Sequence, residues 1–174
     1  MLHGYFAIME LDEQIKAESI RRLQEGRDRL VKCLHLLEDG LVWHRPNTHV
    51  VSMGNLVLHL CGNVEQWINS TLGGKPDNRF RDDEFNEQGP LPVAAFEKRL
   101  ADVLDQAVLT ISGLTPRELT RMWSVQGFTE SGTAILMHVV EHFSYHTGQV
   151  TLHTKLLLDI DTGYYAGQDL NAKT

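Results

Sequence analysis

The stretch Thr133–Asp159, TAILMHVVEHFSYHTGQVTLHTKLLLD, decides the fold. It sits in the longest periodic block of the chain, Thr129–Leu158. Apolar residues recur there every three or four positions, the period of a helix with one buried face. A helix of that kind needs other helices or a sheet to cover its apolar stripe. The rest of the sequence offers helices.

Working outward, Leu11–Glu38 places Ile15, Ile20, Leu23, Leu30, Leu34 and Leu37 on one side and charges on the other. Asp39-Gly40 is expected to end that helix, with the glycine in a left-handed cap. Leu41–Val51 reads as a loop. Ser52 is a plausible N-cap for a second helix, NLVLHLCGNVEQWINSTL (Asn55–Leu72), which Gly73-Gly74 stops. Lys75–Pro90 is polar and reads as a long connection. A third helix spans about Leu91–Ser112, with Phe96, Leu100, Val103, Leu104, Val108 and Ile111 on its apolar face. Thr115-Pro116 opens a short helix to Met122, with proline at the first helical position. Trp123–Glu130 reads as a loop, and Asp159–Thr174 as a partly irregular tail. No segment alternates with period two over its length. The expectation is all-α: an up-down four-helix bundle in one domain over 1–174, with a short extra helix and a long loop between helices two and three.

Composition sets the outer limits. The chain has 174 residues, a formal charge of −7, 42% hydrophobic and 22% charged residues. These are the proportions of a globular protein that buries a real core. The acidic balance argues against a nucleic-acid partner or an anionic membrane surface, which both need a basic face. No run is long enough to span a bilayer. The start, MLHGYFAIMELDEQ, lacks the basic and apolar regions of a signal peptide. Cys33 and Cys61 are too few for a disulfide scaffold and fall in apolar helical segments, so a reducing, cytoplasmic setting is expected. There is no phosphate loop, dinucleotide fingerprint or nucleophile elbow. Neither H-E-x-x-H nor paired E-x-x-H motifs occur, which argues against a di-iron carboxylate centre.

The distinctive count is nine histidines. At that frequency chance gives about half of an i,i+4 pair, so one pair alone is weak. The last long helix has two overlapping pairs, through His138, His142 and His146. Residues four apart share a helix face, and two imidazoles there can converge on one metal ion. A third ligand must come from another helix. His59, between Leu58 and Leu60 in the second helix, is the best donor, and it shares a side with Asn63 and Gln66. The alternative is that His59 is a core histidine whose nitrogens are satisfied without an ion. His3, His35, His44, His49 and His153 fall at termini, in loops or on outer faces. His138, Asn63 and Gln149 are candidates for a supporting shell or for completing the site. Glu141 and Glu65 point away from the histidine faces and read as structural or solvated carboxylates. Tyr145 reads as core, and Gly148 as a place where another backbone comes close. Arg45, Arg79 and Arg81 lie in loops and read most simply as solvated surface.

A central histidine in the second helix and His142-Phe-Ser-Tyr-His146-Thr-Gly-Gln149 in the last one resemble the DinB-like (DinB/YfiT-type) superfamily of metal-binding four-helix bundles. The similarity extends to helix count, helix order and the loop between helices two and three. It implies a divalent-metal site of three histidines, His59, His142 and His146, with waters or a substrate completing the shell. Zinc or nickel is the expected ion, with iron a further fit to imidazole donors. The resemblance implies a homodimer. It also implies a metal-dependent enzyme acting on a small molecule, such as a thiol S-transferase or a hydrolase. A carboxylate-bearing thiol would want basic residues at the site mouth, and Arg45, Arg79 and Arg81 are the available ones. The competing readings are a non-catalytic metal-binding or stress-response protein, favoured by a fourth protein ligand, and a bundle of packed histidines with no ion. No catalytic residue is assigned.

Overall fold

The computed structural model describes residues 10–37 and 39–173. Most of the leader reading (residues 1–9), His3 and Glu38 lie outside them. Four long helical segments build the molecule. They are α1 (Leu11–Leu36), α3 (Met53–Val64) continued by a π-helical stretch (Glu65–Leu72), α5 (Val93–Gly113) and α7 (Gly132–Leu158). Short helices fill the connections: α2 (Asp39–Val42), α4 (Arg81–Asn86) and α6 (Pro116–Thr120). Helix α1 packs on α5 and α7, and α3 packs on the same two. The ring therefore runs α1, α5, α3, α7, with the first two long helices on a diagonal. That order sets His59 of α3 against α7. The all-α bundle expected from the sequence is the architecture observed. No helix among the described residues is long and apolar enough to cross a membrane.

The core lies between these four segments, with Leu30 and Leu34 of α1, Leu60 and Val64 of α3, Leu100 and Leu104 of α5, and Ile135, Val139 and Phe143 of α7 all buried. Each such side chain contributes about 1.5–3 kcal/mol by leaving water. Helix α3 is the innermost: every residue from Met53 to Val64 is buried. Its polar residues Asn55, His59 and Asn63 fall four apart, so they form one stripe down a fully buried helix. Buried polar groups need partners, and this stripe determines where they must come from.

Local chemistry explains most boundaries. Ser52 and Asn55 form a capping box at the start of α3, and Thr115 and Glu118 form another at α6 behind Pro116. Three connections differ from the sequence reading. Gly40 lies inside the α2 turn and has no positive φ. Helix α1 instead ends when Leu37 turns extended. The polar connection Lys75–Pro90 contains helix α4, which packs on α3. The segment read as a loop after α6 is an antiparallel hairpin, β1 (Met122–Val125) with β2 (Phe128–Ser131). Gln126 and Gly127 make its turn with φ of 50° and 82°, the backbone of the two-residue hairpin turns that match strand twist. The turn hid because glutamine stands where asparagine or aspartate usually signals it. Ser131, whose hydroxyl accepts from the Ala134 amide, then caps α7.

Candidate metal centre

His142 and His146 project from the same face of α7, and His59 meets them from α3. One ring nitrogen of each lies within 4.8 Å of those of the other two. The Nε2 atoms of His59 and His142 are 3.0 Å apart. Ring centroids are 4.6 Å apart for His142 and His146 and 5.2 Å for His59 and His146. His59 is buried, and the two α7 histidines are half-buried.

The opposite edges of two rings are anchored. His59 Nδ1 donates to Glu84 Oε2 at 2.8 Å, and His146 Nδ1 donates to Gln149 Oε1 at 2.6 Å. Each acceptor places the ring hydrogen on Nδ1 and leaves Nε2 with its lone pair. His142 Nδ1 is buried and has no hydrogen-bond partner among the described residues. Burial, and then the neighbouring imidazoles His146, His59 and His138, push the His142 pKa down to about 3. Burial also lowers that of His146, against the opposing hydrogen bond to Gln149. A metal needs unprotonated imidazole, and this environment supplies it at neutral pH. The donor set, the anchored Nδ1 edges and the nitrogen-to-nitrogen spacing all fit a metal ion.

Glu84, on α4, comes from the stretch that read as a long polar connection. Its carboxylate accepts from Arg79 Nε at 2.7 Å and Nη2 at 3.0 Å. Burial pushes the carboxyl pKa up, but hydrogen bonds from His59 and Arg79 outweigh it and hold it below the ordinary range. Arg79 is not solvated surface: its side chain is only 4% exposed, and Nη1 donates to Gln66 Oε1 at 2.9 Å. Arg45 binds the Val50 and Thr48 carbonyls, and Arg81 stacks over Phe85. The sequence held two signals that a polar group packs against this side of α3, though neither singles out Glu84. One was a glycine, Gly62, inside a fully buried helix. The other was a polar stripe on α3 with no partner within its own helix.

The other candidates separate cleanly. Gln149 supports His146, as above. His138 stacks on Trp67 at 4.0 Å, with its ring centroid 5.7 Å from that of His142, and is not one of the three clustered histidines. Asn63 is buried, and its Oδ1 has no hydrogen-bond partner among the described residues. Tyr145 is 63% exposed rather than core. A side chain added at Gly148 would meet nothing within 4 Å, so no backbone approaches it. Cys33 and Cys61 are free and buried, and burial pushes the Cys61 thiol up to about 12.

The DinB family model matches residues 9–159, which is most of the chain. The protein belongs to the DinB family. No curated protein matches the sequence. Among solved structures it is similar to a DinB-like protein from Bacillus subtilis (YjoA), with TM-score 0.62 and 16% identity over 80% of this chain and 91% of the other. It is similar also to a DinB-like protein from Bacillus cereus ATCC 10987, with TM-score 0.62 and 18% identity over 80% and 90%. At these identities the likeness concerns the fold.

Proposed function

We propose that this DinB-family protein binds one divalent metal ion, zinc or nickel, through His59, His142 and His146. The observation that carries the reading is the convergence of three ring nitrogens within 4.8 Å, from two helices of a bundle. When bound, such an ion supplies Lewis acidity and lowers the pKa of a coordinated water or thiol. The chain's own residues do the rest. Glu84 and Gln149 fix the rings of His59 and His146, and burial keeps His142 unprotonated. His138 is held against Trp67 rather than turned into the cluster, so three protein donors leave room for a substrate. That favours an enzyme over a purely structural metal site.

The surroundings help to choose a reaction class. A cavity of about 380 Å³ lies beside His138, lined by Trp67, Phe128, Ala134, Met137, Glu130 and Glu141. It carries two carboxylates and His138, and the three clustered histidines are not among its lining residues. Arg79 and Arg45 are engaged with protein groups. Arginines already engaged in this way suit a carboxylate-bearing thiol poorly, which supports a hydrolase over a thiol S-transferase. On the outer face of α7, Met137, Tyr145, Leu152 and Leu156 form an exposed stripe that supports a homodimer, and the free cysteines Cys33 and Cys61 support a reducing, cytoplasmic setting. Elemental mass spectrometry on untagged protein, purified without chelators, tests the metal. The expected result is about one divalent ion per chain, lost in His142→Ala. No metal, with no thermal shift on adding zinc or nickel, would overturn the proposal. Light scattering on the same sample tests the dimer.

A further inference from the structure

His59 can serve the cluster only if its Nε2 carries a lone pair, so the position of its ring hydrogen matters. The geometry around Nδ1 decides it. Glu84 Oε2 lies 2.8 Å from Nδ1, and the same carboxylate takes two hydrogen bonds from Arg79. A guanidinium does not lose its proton in proteins, so its forked partner is an acceptor-only carboxylate. Were Nδ1 bare, two lone pairs would face each other at 2.8 Å. Arg79 Nη2 also lies 3.2 Å from Nδ1 and has a second hydrogen, but donation from it would still leave Nδ1 and the carboxylate facing each other lone pair to lone pair at the shorter distance of 2.8 Å. The hydrogen therefore sits on Nδ1.

The carboxylate is mounted with unusual care. Glu84 is buried. Its Oε1 and Cδ occupy the space where a Cβ of Gly62 would stand, with Cδ only 2.8 Å from that position. Gln66 orients Arg79, and Asp77 accepts from Gln66 Nε2 at 2.8 Å. Asn55 Nδ2 donates to the carbonyls of Glu84 and Glu87, at 2.9 and 2.8 Å, which ties α4 to the start of α3. One buried stripe thus supplies the clamp (Asn55), the histidine (His59) and, beside it, the gap (Gly62).

We infer that Glu84 is a positioning residue: held by Arg79 in the space left by Gly62, it fixes His59 as the Nδ1–H form and turns Nε2 to the metal. The inference rests on the reading of His59 as a ligand. A partner of this kind orients the ring and raises ligand basicity, and its loss typically costs 10–100-fold in metal affinity.

The test compares the full-length wild-type chain with Glu84→Gln, Glu84→Asp and Asp83→Asn. Asp83 is an exposed neighbour on the same helix. Long-range 1H–15N NMR on the metal-free proteins reports which His59 nitrogen carries hydrogen. Competition with a chelating dye reports zinc affinity. The wild type should show a single Nδ1–H form. Glu84→Gln, whose amide can donate as well as accept, should give mixed forms and bind zinc about 10–100-fold more weakly. Glu84→Asp keeps the charge but shortens the reach, and should weaken zinc similarly. It also stands in if Glu84→Gln does not fold. Asp83→Asn should change neither readout. Wild-type zinc affinity and an unchanged Nδ1–H signal in the Glu84 variants would overturn the inference. So would equal weakening by Asp83→Asn, because the effect would then be general charge. A wild type with a Glu84-dependent Nδ1–H signal but no zinc binding would overturn the metal reading instead, so the two failures are distinguishable.

Discussion

His59 meets three demands with one ring: it sits in the most buried helix, pairs with a carboxylate, and faces two more imidazoles. In the proposed site, removing it, His142 or His146 takes away one of three metal donors. Each of His59→Ala, His142→Ala and His146→Ala should therefore strongly weaken zinc binding in a chelator competition assay. His153→Ala should leave it nearly intact, and so should His138→Ala, because His138 stacks on Trp67. Equal losses in all five variants would contradict a three-ligand site. The ligand candidates were readable from sequence because helix period alone puts His142 and His146 on one face. Gln149 was readable for the same reason, three residues from His146. Glu84 and Arg79 were not, because nothing local separates Glu84 from Asp82 and Asp83, or Arg79 from Arg81. Only the packing of α4 onto α3, 25 residues away from His59 along the chain, selects the pair.

At the scale of elements, the long helices follow from apolar period and caps, and their predicted bounds lie within a few residues of those observed. What escaped was structure in short pieces. Four-residue strands offer too little alternation to register, and the six-residue α4 has no apolar period of its own. The hairpin nonetheless has a place in the site's architecture. Trp67 Nε1 donates to Gln126 Oε1 at 3.1 Å, so the turn braces the indole on which His138 stacks. Gly127 has φ of 82°, where any side chain is strained. Gly127→Ala should cost about 1 kcal/mol or more in chemical denaturation and leave the m-value unchanged. Gly132, the first residue of α7, is tighter. A Cβ there would strike backbone, the Glu118 carbonyl and the Leu119 Cα, and backbone cannot swing aside. Gly132→Ala should destabilise by about 1–3 kcal/mol, the usual cost of overpacking. A neutral or stabilising result would mean that the junction of α6 with α7 is looser than described.

At the scale of the whole molecule, the histidines couple stability to pH in one direction. His138, His142, His146 and His153 all have pKa values lowered by burial, that of His142 to about 3. Above the ordinary histidine value of about 6.5 both folded and unfolded chains hold these rings neutral, so they add no pH dependence. Below it the unfolded chain takes up protons that the folded chain refuses. Stability then falls as pH falls, down to about 3, where His142 protonates in the folded state as well. Glu84 adds to the same trend at the acid end, since its lowered pKa contributes stability that is lost as pH drops below the ordinary carboxylate range. The melting temperature of the metal-free protein should thus be nearly flat from pH 8 to 7 and decline steadily below about 6.5. Zinc acts on the same rings from the other side. At 100 times its dissociation constant it should add about 2.7 kcal/mol at pH 7, a rise of roughly 5–11 °C for a chain of this length. Protons compete with the metal only where the folded rings themselves take them up, which for His142 is near pH 3, so the zinc-induced rise should begin to shrink at a lower pH than that at which the metal-free decline begins. His142→Ala should abolish the zinc rise and flatten part of the acid decline in the metal-free protein. A decline that survives unchanged in that variant would assign the acid sensitivity to the other histidines and the carboxylates and leave His142 outside the linkage.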